Sequence, residues 1–481
     1  MTLTKKTTIG IFWNFAEKLS RRGIGLLVTL LLARFLTPEE YGLMAMLAVF
    51  IAVANSIMDL GFSHALIRKH NPTQEYFSTA FYSNLALGVL AYILLFSTAP
   101  FVALFYEEPR LTILIRVVGI VIIINAFQVV QNIILSRNLD FKTQLKAAVP
   151  ATFISGLCAV VMAYAGFGVW ALIAQTIISS LVFTFFLWSM DIWRPTFVFS
   201  QSSLSEMFGF GSKLFLSGLL DTIYRNIYIV VIAKLFTTTI AGHYFFASKI
   251  KELILNQLVN SIQTVTYPAL ATLQEDDIRL KVGYRKVIQV TTFGLFPVMA
   301  LMAALAEPLF RVFLTDQWLP AVPYLQLMCI AGMMYPLHSI NLNILKVKGR
   351  SDLFLYLEIV KKCISILILS VSIQFGVIGI LIGQVISSLL SYLPNSYYSG
   401  KLIDYPAGEQ IRDVLPGFLL SGIIAVLVYF AVEVSTQPAL IELVLFGTLA
   451  GVMYIVASSV LKIKAMELAK EIVINKFGKN V

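Results

Sequence analysis

The chain has 481 residues, of which 58% are hydrophobic and only 13% charged, and its formal net charge is +10. A soluble domain carries about 25% charged residues, so a cytosolic enzyme and a disordered scaffold are both excluded. What remains is a polytopic α-helical membrane protein: the apolar stretches are continuous for about 20 residues, as helices that span lipid require, and do not alternate as barrel strands would.

The net charge reads as lysine and arginine gathered in cytoplasmic loops, not as a nucleic-acid footprint. Cys158, Cys329 and Cys363 lie in apolar stretches with no CxxC pair, so neither a disulfide framework nor a metal site is expected. No cofactor is expected.

About fourteen transmembrane helices are predicted, at 10–36, 41–66, 78–105, 112–136, 146–165, 168–189, 206–235, 240–270, 285–306, 320–345, 353–374, 377–399, 412–432 and 439–461. The first reads as a permanent helix, because no small-residue cleavage site follows a short apolar core. Pro297 and Pro336 fall inside spans and are expected to kink them. Of the 36 lysines and arginines, twenty-two lie in one set of loops and tails, including Lys5, Arg68, Lys69, Arg137, Arg194 and Lys476. The opposite set holds only Arg110 and Arg311. This imbalance predicts that both termini are cytoplasmic. The opposite loops, such as TPEE at 37–40 and YEEPR at 106–110, are short, so activity is expected inside the bilayer.

The chain repeats itself at an offset near 200. LARFLTPEEYG at 32–42 aligns with IAKLFTTTIAG at 232–242, which pairs Thr37 with Thr237 and Gly42 with Gly242. FGVWALIAQTIISSL at 167–181 matches FGVIGILIGQVISSLL at 375–390. The expected organisation is a six-helix bundle over 1–200, its parallel repeat over 201–405, and two extra helices with a basic tail over 406–481. Parallel repeats about an axis along the membrane normal are a transporter architecture.

At this point a family resemblance appears. LARFLTPEEYGLMAM follows the first helix, GFSHALIRK ends the second, and DFKTQLK follows the fourth. RPTFVFSQSSLSEMFGFGSKLF leads into the seventh, and YPALATLQEDDIRLKVGYRKVI into the ninth. EPLFRVFLTDQWLPAVPYLQLM and LKVKGRSDLFLYLEIVKK come next. In this order they resemble the polysaccharide transporter (Wzx-type flippase) family of the multidrug/oligosaccharidyl-lipid/polysaccharide exporter superfamily, most closely its colanic-acid exporter branch. The resemblance implies a MATE-like fold of two six-helix bundles with two extra C-terminal helices, in a bacterial inner membrane. It implies translocation of undecaprenyl-diphosphate-linked oligosaccharide to the periplasmic leaflet, for surface or exopolysaccharide assembly. The implied partners are the lipid-linked glycan, membrane lipid and the polysaccharide polymerase machinery. The family has no strict catalytic signature, so site residues must come from the chain itself.

A charge at the bilayer centre costs about 2.5–3.5 kcal/mol and usually faces a cavity or a partner. The first helix carries Asn14, Glu17, Lys18, Arg21 and Arg22. Arg21 or Arg22 could hold a diphosphate by forked hydrogen bonds, or Glu17 and Arg21 could simply neutralise each other. The seventh helix carries Lys213, Ser217, Asp221 and Arg225, each four apart on one face. Asp221 and Arg225 could pair, or Arg225 could serve substrate. Asn55 and Asp59 on the second helix align with Asn256 and Asn260 on the eighth, which also carries Lys249, Glu252 and Gln263. Amides suit sugar hydroxyls because each both donates and accepts, although hydrogen bonding between helices would use them equally. Asn125, Gln128 and Asn132 on the fourth helix join His338 and Asn341 on the tenth. Substrate contacts are therefore expected from Arg21, Arg22, Lys213, Arg225, Lys249, Asn55, Asn256 and Asn260. Charge pairing or ion coupling is expected from Glu17, Asp59, Asp221, Glu252 and His338.

The resulting expectation is an alternating-access flippase, not an enzyme. A cation-coupled multidrug exporter of the same superfamily is the first alternative, but its cavity should favour acids, and here cations are in excess. A membrane polysaccharide polymerase or ligase is a second alternative, disfavoured by the short periplasmic loops. No GxxxxGK[ST] motif is present, so ATP hydrolysis by this chain is not expected. The topology has a direct test. Glu39→Cys and Asp316→Cys should react with an impermeant maleimide from the periplasmic side, and Lys5→Cys and Lys476→Cys only from the cytoplasmic side. Labelling of position 39 from the cytoplasm would overturn the topology.

Overall fold

The computed structural model describes residues 3–468 and 470, with side chains for all of these except 3–12, 15, 256–269 and 351. Lys476 and the side chain of Lys5 lie outside the described residues. The described regular structure is helical. In chain order the helices are α1 Leu3–Phe35, α2 Pro38–Asp59, α3 Phe62–Arg68, α4 Gln74–Tyr106, α5 Arg110–Val118, α6 Ile120–Arg137, α7 Phe141–Tyr164, α8 Val169–Ser189 and α9 Gln201–Leu235. There follow α10 Thr238–Ala271, α11 Asp277–Ala304, α12 Ala306–Phe313, α13 Val322–Met333, α14 Tyr335–Val347, α15 Ser351–Ser372, α16 Gly376–Ile403, α17 Ala407–Val434 and α18 Ala439–Val460. Each predicted span falls on one of these helices or on a broken pair. Among the described residues, ten stretches are long and apolar enough to cross a membrane.

The breaks have local causes. The span predicted at 41–66 divides into α2 and α3 because Leu60 and Gly61 both take positive φ, 43° and 75°. A Cβ on Gly61 would stand 2.4 Å from the Gly211 carbonyl oxygen, so only glycine allows this approach. The span predicted at 320–345 divides into α13 and α14, and Pro336 sits in the first turn of α14, where its missing N–H costs nothing. Pro297, by contrast, lies within a continuous α11. TPEE is more than a loop. The Thr37 amide donates to Glu40 Oε2 at 2.7 Å and the Thr37 hydroxyl accepts from the Glu40 amide, a capping box that starts α2 with Pro38 in its first turn.

The chain forms two compact units, residues 1–245 and 246–481. In the first, α7 packs on α1 and α8, α4 packs on α2, α5 and α6, and α9 lies against α2, α3 and α4. Phe62, Leu66, Phe81, Val130, Ile133 and Met207 bring α3, α4, α6 and α9 into one core. At its opposite end Arg110 bonds Glu39 at 2.5 Å and Glu108 at 2.7 Å, while Lys234 bonds Glu107 at 2.8 Å. The hydrogen bond from Lys234 holds the Glu107 carboxyl below its ordinary range, and the one from Arg110 does the same for Glu108.

The starts of α2 and α10 cross within this unit, and the contact is reciprocal. A Cβ on Gly42 would stand 1.9 Å from the Thr238 carbonyl oxygen, and one on Gly242 would stand 1.7 Å from the Pro38 carbonyl oxygen. Positions 38 and 238, like 42 and 242, are repeat equivalents.

In the second unit α11 packs on α13, α14 and α17, α15 packs on α16, and α18 packs on α12 and α17. The buried Gln410 of α17 donates to Ser399 Oγ at 2.7 Å and accepts from Asn341 Nδ2 at 2.9 Å. Asn341 Oδ1 in turn accepts from the Tyr284 hydroxyl at 2.7 Å. Ile424, Val428, Ala450 and Tyr454 seal α17 and α18 onto Ala304 and Leu305.

The glycine crossing is testable. Gly42→Ala and Gly242→Ala should each cost about 1–3 kcal/mol through overpacking against backbone. Gly218→Ala on α9, where a Cβ meets nothing within 4 Å, should be neutral or stabilising by up to about 1 kcal/mol. Thermal denaturation of the purified protein in detergent separates the two cases.

Candidate functional site

The polar face of α1 opens into a cavity of about 540 Å³ inside the first unit, walled by α1, α6, α7 and α8. Asn14, Glu17, Lys18 and Arg21 line it from α1, where spacings of three and four place them on one side. Gln128, Asn132 and Ser136 face it from α6, Gln144 and Thr152 from α7, and Ser179 and Ser180 from α8. Phe141 and Phe183 supply apolar wall. A pocket this size suits a small polar ligand or one segment of a larger one.

Its charge is uneven. Glu17 is buried, with 8% of its surface exposed, and is the one carboxylate of the lining. Arg21 Nε lies 3.5 Å from Glu17 Oε1, a loose pair, and more than half of the arginine side chain remains exposed. Lys18 adds a second cation, so the lining has a net positive charge. Around it the amides form an ordered chain: Gln128 Nε2 donates to Asn125 Oδ1 at 2.7 Å, and Asn125 Nδ2 donates to Asn55 Oδ1 at 3.1 Å. Asn55 Nδ2 ends the chain on the Ile51 carbonyl at 2.9 Å. Gln144 Nε2 donates to the Asn132 carbonyl at 3.1 Å and to Ser136 Oγ at 3.0 Å, tying α7 to α6. Gln128 Oε1 is buried at the cavity wall with no hydrogen-bond partner. An acceptor in that state has unused capacity for a ligand donor.

The other predicted residues are placed as follows. Arg22 is half-buried beside the cavity face of α1. Lys213 and Ser217 are exposed on α9, and Arg225 Nε pairs with Asp221 Oδ2 at 2.7 Å while staying 77% exposed. The α9 stripe thus runs along an open face of its helix, and the cavity lining does not include it. Asp59 accepts from the amide of Ser63 at 3.1 Å and from its hydroxyl, which satisfies the first turn of α3. Lys249 is half-buried, and Glu252 accepts from Ser248 Oγ at 3.3 Å. The side chains of Asn256, Asn260 and Gln263 lie outside the described residues.

In the second unit His338 is held on both ring nitrogens. Nδ1 lies 3.1 Å from Asn395 Nδ2 and accepts from it, and Nε2 lies 3.2 Å from Ser388 Oγ. Ser388 spends its own proton on the Ala331 carbonyl at 3.1 Å, so Nε2 must be the donor. The arrangement belongs to a neutral imidazole.

Sequence reasoning placed the α1 and α6 residues but missed Gln144, Thr152, Ser179 and Ser180. The available signal was an amide and three hydroxyls within otherwise apolar spans. The two serines lay within the repeat match and were read only as repeat.

Residues 31–323, more than half of the chain, match the family model described as polysaccharide biosynthesis protein. The lipopolysaccharide biosynthesis protein WzxC of Escherichia coli K12 is 23% identical over 401 residues, covering 82% of this chain and 81% of that protein. The succinoglycan biosynthesis transport protein ExoT of Rhizobium meliloti is 27% identical over 333 residues, covering 69% of this chain and 67% of that protein. Among solved structures, the lipid II flippase MurJ in an inward closed conformation superposes with a TM-score of 0.72 at 15% identity, covering 94% of this chain and 98% of that one. The fold is therefore of the MurJ kind, and the chain belongs to the polysaccharide biosynthesis protein family.

Proposed function

We propose that this protein is a flippase. Its cargo is an undecaprenyl-diphosphate-linked oligosaccharide repeat unit, moved from the cytoplasmic to the periplasmic leaflet for surface or exopolysaccharide assembly. The observation that carries this reading is the α1 cavity: two cations against one carboxylate, backed by amides and hydroxyls, inside an apolar helix bundle. A diphosphate needs cations that can leave their own partners, and Arg21, loosely paired and partly exposed, offers its fork. Sugar hydroxyls need groups that donate and accept, and Gln128, Asn132 and Gln144 supply them. Family membership, the names of the WzxC and ExoT relatives, and the MurJ-like fold support the same reading.

Alternating access would rock the repeats 1–200 and 201–405 against each other, with 406–481 as an appendage and both termini cytoplasmic. The polyprenyl tail stays in lipid, and the polysaccharide polymerase machinery receives the product. Arg22, Lys213, Arg225 and Lys249 are further cations for the diphosphate, and Asn55, Asn256 and Asn260 further amides for sugar. Asp59, Asp221 and Glu252 are the acids available for ion coupling.

The charge argument predicts that Lys18→Ala with Arg21→Ala reduces surface glycan at least about tenfold while membrane protein level stays unchanged. Arg21→Lys should retain part of the activity, since it keeps the charge and loses the fork. Glu17→Gln should be milder than either. Arg225→Ala should lower export less if Asp221 already neutralises it. Normal glycan from the double variant at normal protein level would remove the diphosphate from this cavity.

His338 makes a separate prediction. Because its ring works as a neutral donor and acceptor, His338→Gln should keep export and its pH profile between pH 5.5 and 8, around the ordinary histidine range. His338→Leu should destabilise by about 1–3 kcal/mol, by stranding Ser388 and Asn395. Loss of export in His338→Gln with a displaced pH profile would instead make this histidine a coupling group.

A further inference from the structure

A second cavity in the first unit, of about 520 Å³, lies at the end of α3 and shares no lining residue with the α1 site. Arg68, Lys69 and His70 line it from the end of α3 and the residues that follow, Tyr76 from α4, and Glu206, Gly209 and Phe210 from α9. Lys69 Nζ bonds both carboxylate oxygens of Glu206, at 2.8 and 2.7 Å. It also sits 5.1 Å from the Tyr76 ring, and the Arg68 guanidinium sits 4.5 Å over the Phe210 ring. Neither cation is needed to finish α3. Arg137 reaches across from α6 and donates to the Leu66 and Ile67 carbonyls, which closes that helix end.

We propose that this cavity binds a lipid-borne phosphate, and that Glu206 is the internal anion the phosphate displaces from Lys69. A carboxylate held through both oxygens by one ammonium occupies the place and presents the charge that two phosphate oxygens would. The Lys69 and Glu206 side chains are 35% and 53% exposed, and a pair that open to solvent is weak enough to exchange. Arg68, already beside the cavity on its aromatic seat, gives a phosphate a second cation that Glu206 does not use. Gly209 leaves room, because a Cβ there would meet nothing within 4 Å. The ligand is lipid-borne and not soluble because the cavity lies where exposed Ile67 and Phe208 adjoin Arg68 and Gly209 in the chain, on the face that carries the basic loops. Displacing Glu206 also releases a tie between α3 and the start of α9, so phosphate arrival loosens α9 at this end.

The source is either a prenyl diphosphate or an ordinary anionic phospholipid, which present the same chemistry. The test uses the full chain in phosphatidylcholine nanodiscs, in a Lys18→Ala, Arg21→Ala background so that the α1 cavity makes no contribution. Failure of the flippase reading then leaves this measurement intact. Farnesyl diphosphate is titrated by calorimetry. Lys69→Gln should raise Kd about tenfold, and Glu206→Gln should lower it several-fold by removing the competitor. Gly209→Leu should weaken binding at unchanged Tm by filling the cavity. Nanodiscs doped with phosphatidylglycerol separate the sources. Competition assigns the site to bulk anionic lipid and indifference assigns it to the prenyl diphosphate, and either supports a lipid-borne phosphate. Inorganic diphosphate that binds as tightly as farnesyl diphosphate would overturn the lipid assignment. Equal Kd across all variants would overturn the site, and weaker binding by Glu206→Gln would overturn the displacement.

Discussion

A chain with so few charges, built to sit in lipid, must satisfy its own polar groups, and that constraint governs the structure. Gln410 shows the rule at its strictest. It is fully buried in α17, and its amide group is matched by Ser399, Asn341 and the Tyr405 carbonyl. The same residues thereby help fix α17 onto α11, α14 and α16. The chain from Gln128 through Asn125 to Asn55 does this for α6 and α2 in the first unit. Gln128 Oε1, a buried acceptor without a partner, sits at the wall of the α1 cavity.

Close approach is the second organising force, and glycine permits it. Backbone meets backbone at Gly42 and Gly242, and again at Gly61 and Gly211. Without a hydrophobic driving force between helices in lipid, small residues that let backbones touch supply the packing energy. The 42–242 contact joins segments two hundred residues apart: Gly42 meets Thr238, and Gly242 meets Pro38.

The charged residues divide by how completely they are matched. At the Arg110 and Lys234 end of the first unit Glu39, Glu107 and Glu108 each have a close cation, and those pairs act as structure. On α1 the match is partial. Glu17 is buried, Arg21 touches it at 3.5 Å, and Lys18 remains in excess. An imbalance like that is costly in an apolar bundle, and it is the ground of the anion site proposed for this cavity.

Composition and hydropathy alone determined the membrane class and the positions of the helices, because burial in lipid leaves its record in every residue of a span. Ordered motifs determined the family. The polar residues of α1 and α6 were legible as well, since a charge or amide inside an apolar run stands out whatever the fold. Tertiary structure decided what those residues face. Sequence spacing sets which side of α1 holds Glu17 and Arg21, but only packing on α7, with α6 and α8 as further walls, turns that side into a cavity, and only there do Gln144, Thr152, Ser179 and Ser180 join its lining. The breaks at Gly61 and before Pro336 divided helices that hydropathy reads as continuous, because hydropathy does not register φ or the close approach of another backbone. The Lys69–Glu206 pair joins residues 137 apart, a partnership that no local pattern encodes and that exists only because α9 folds back against α3.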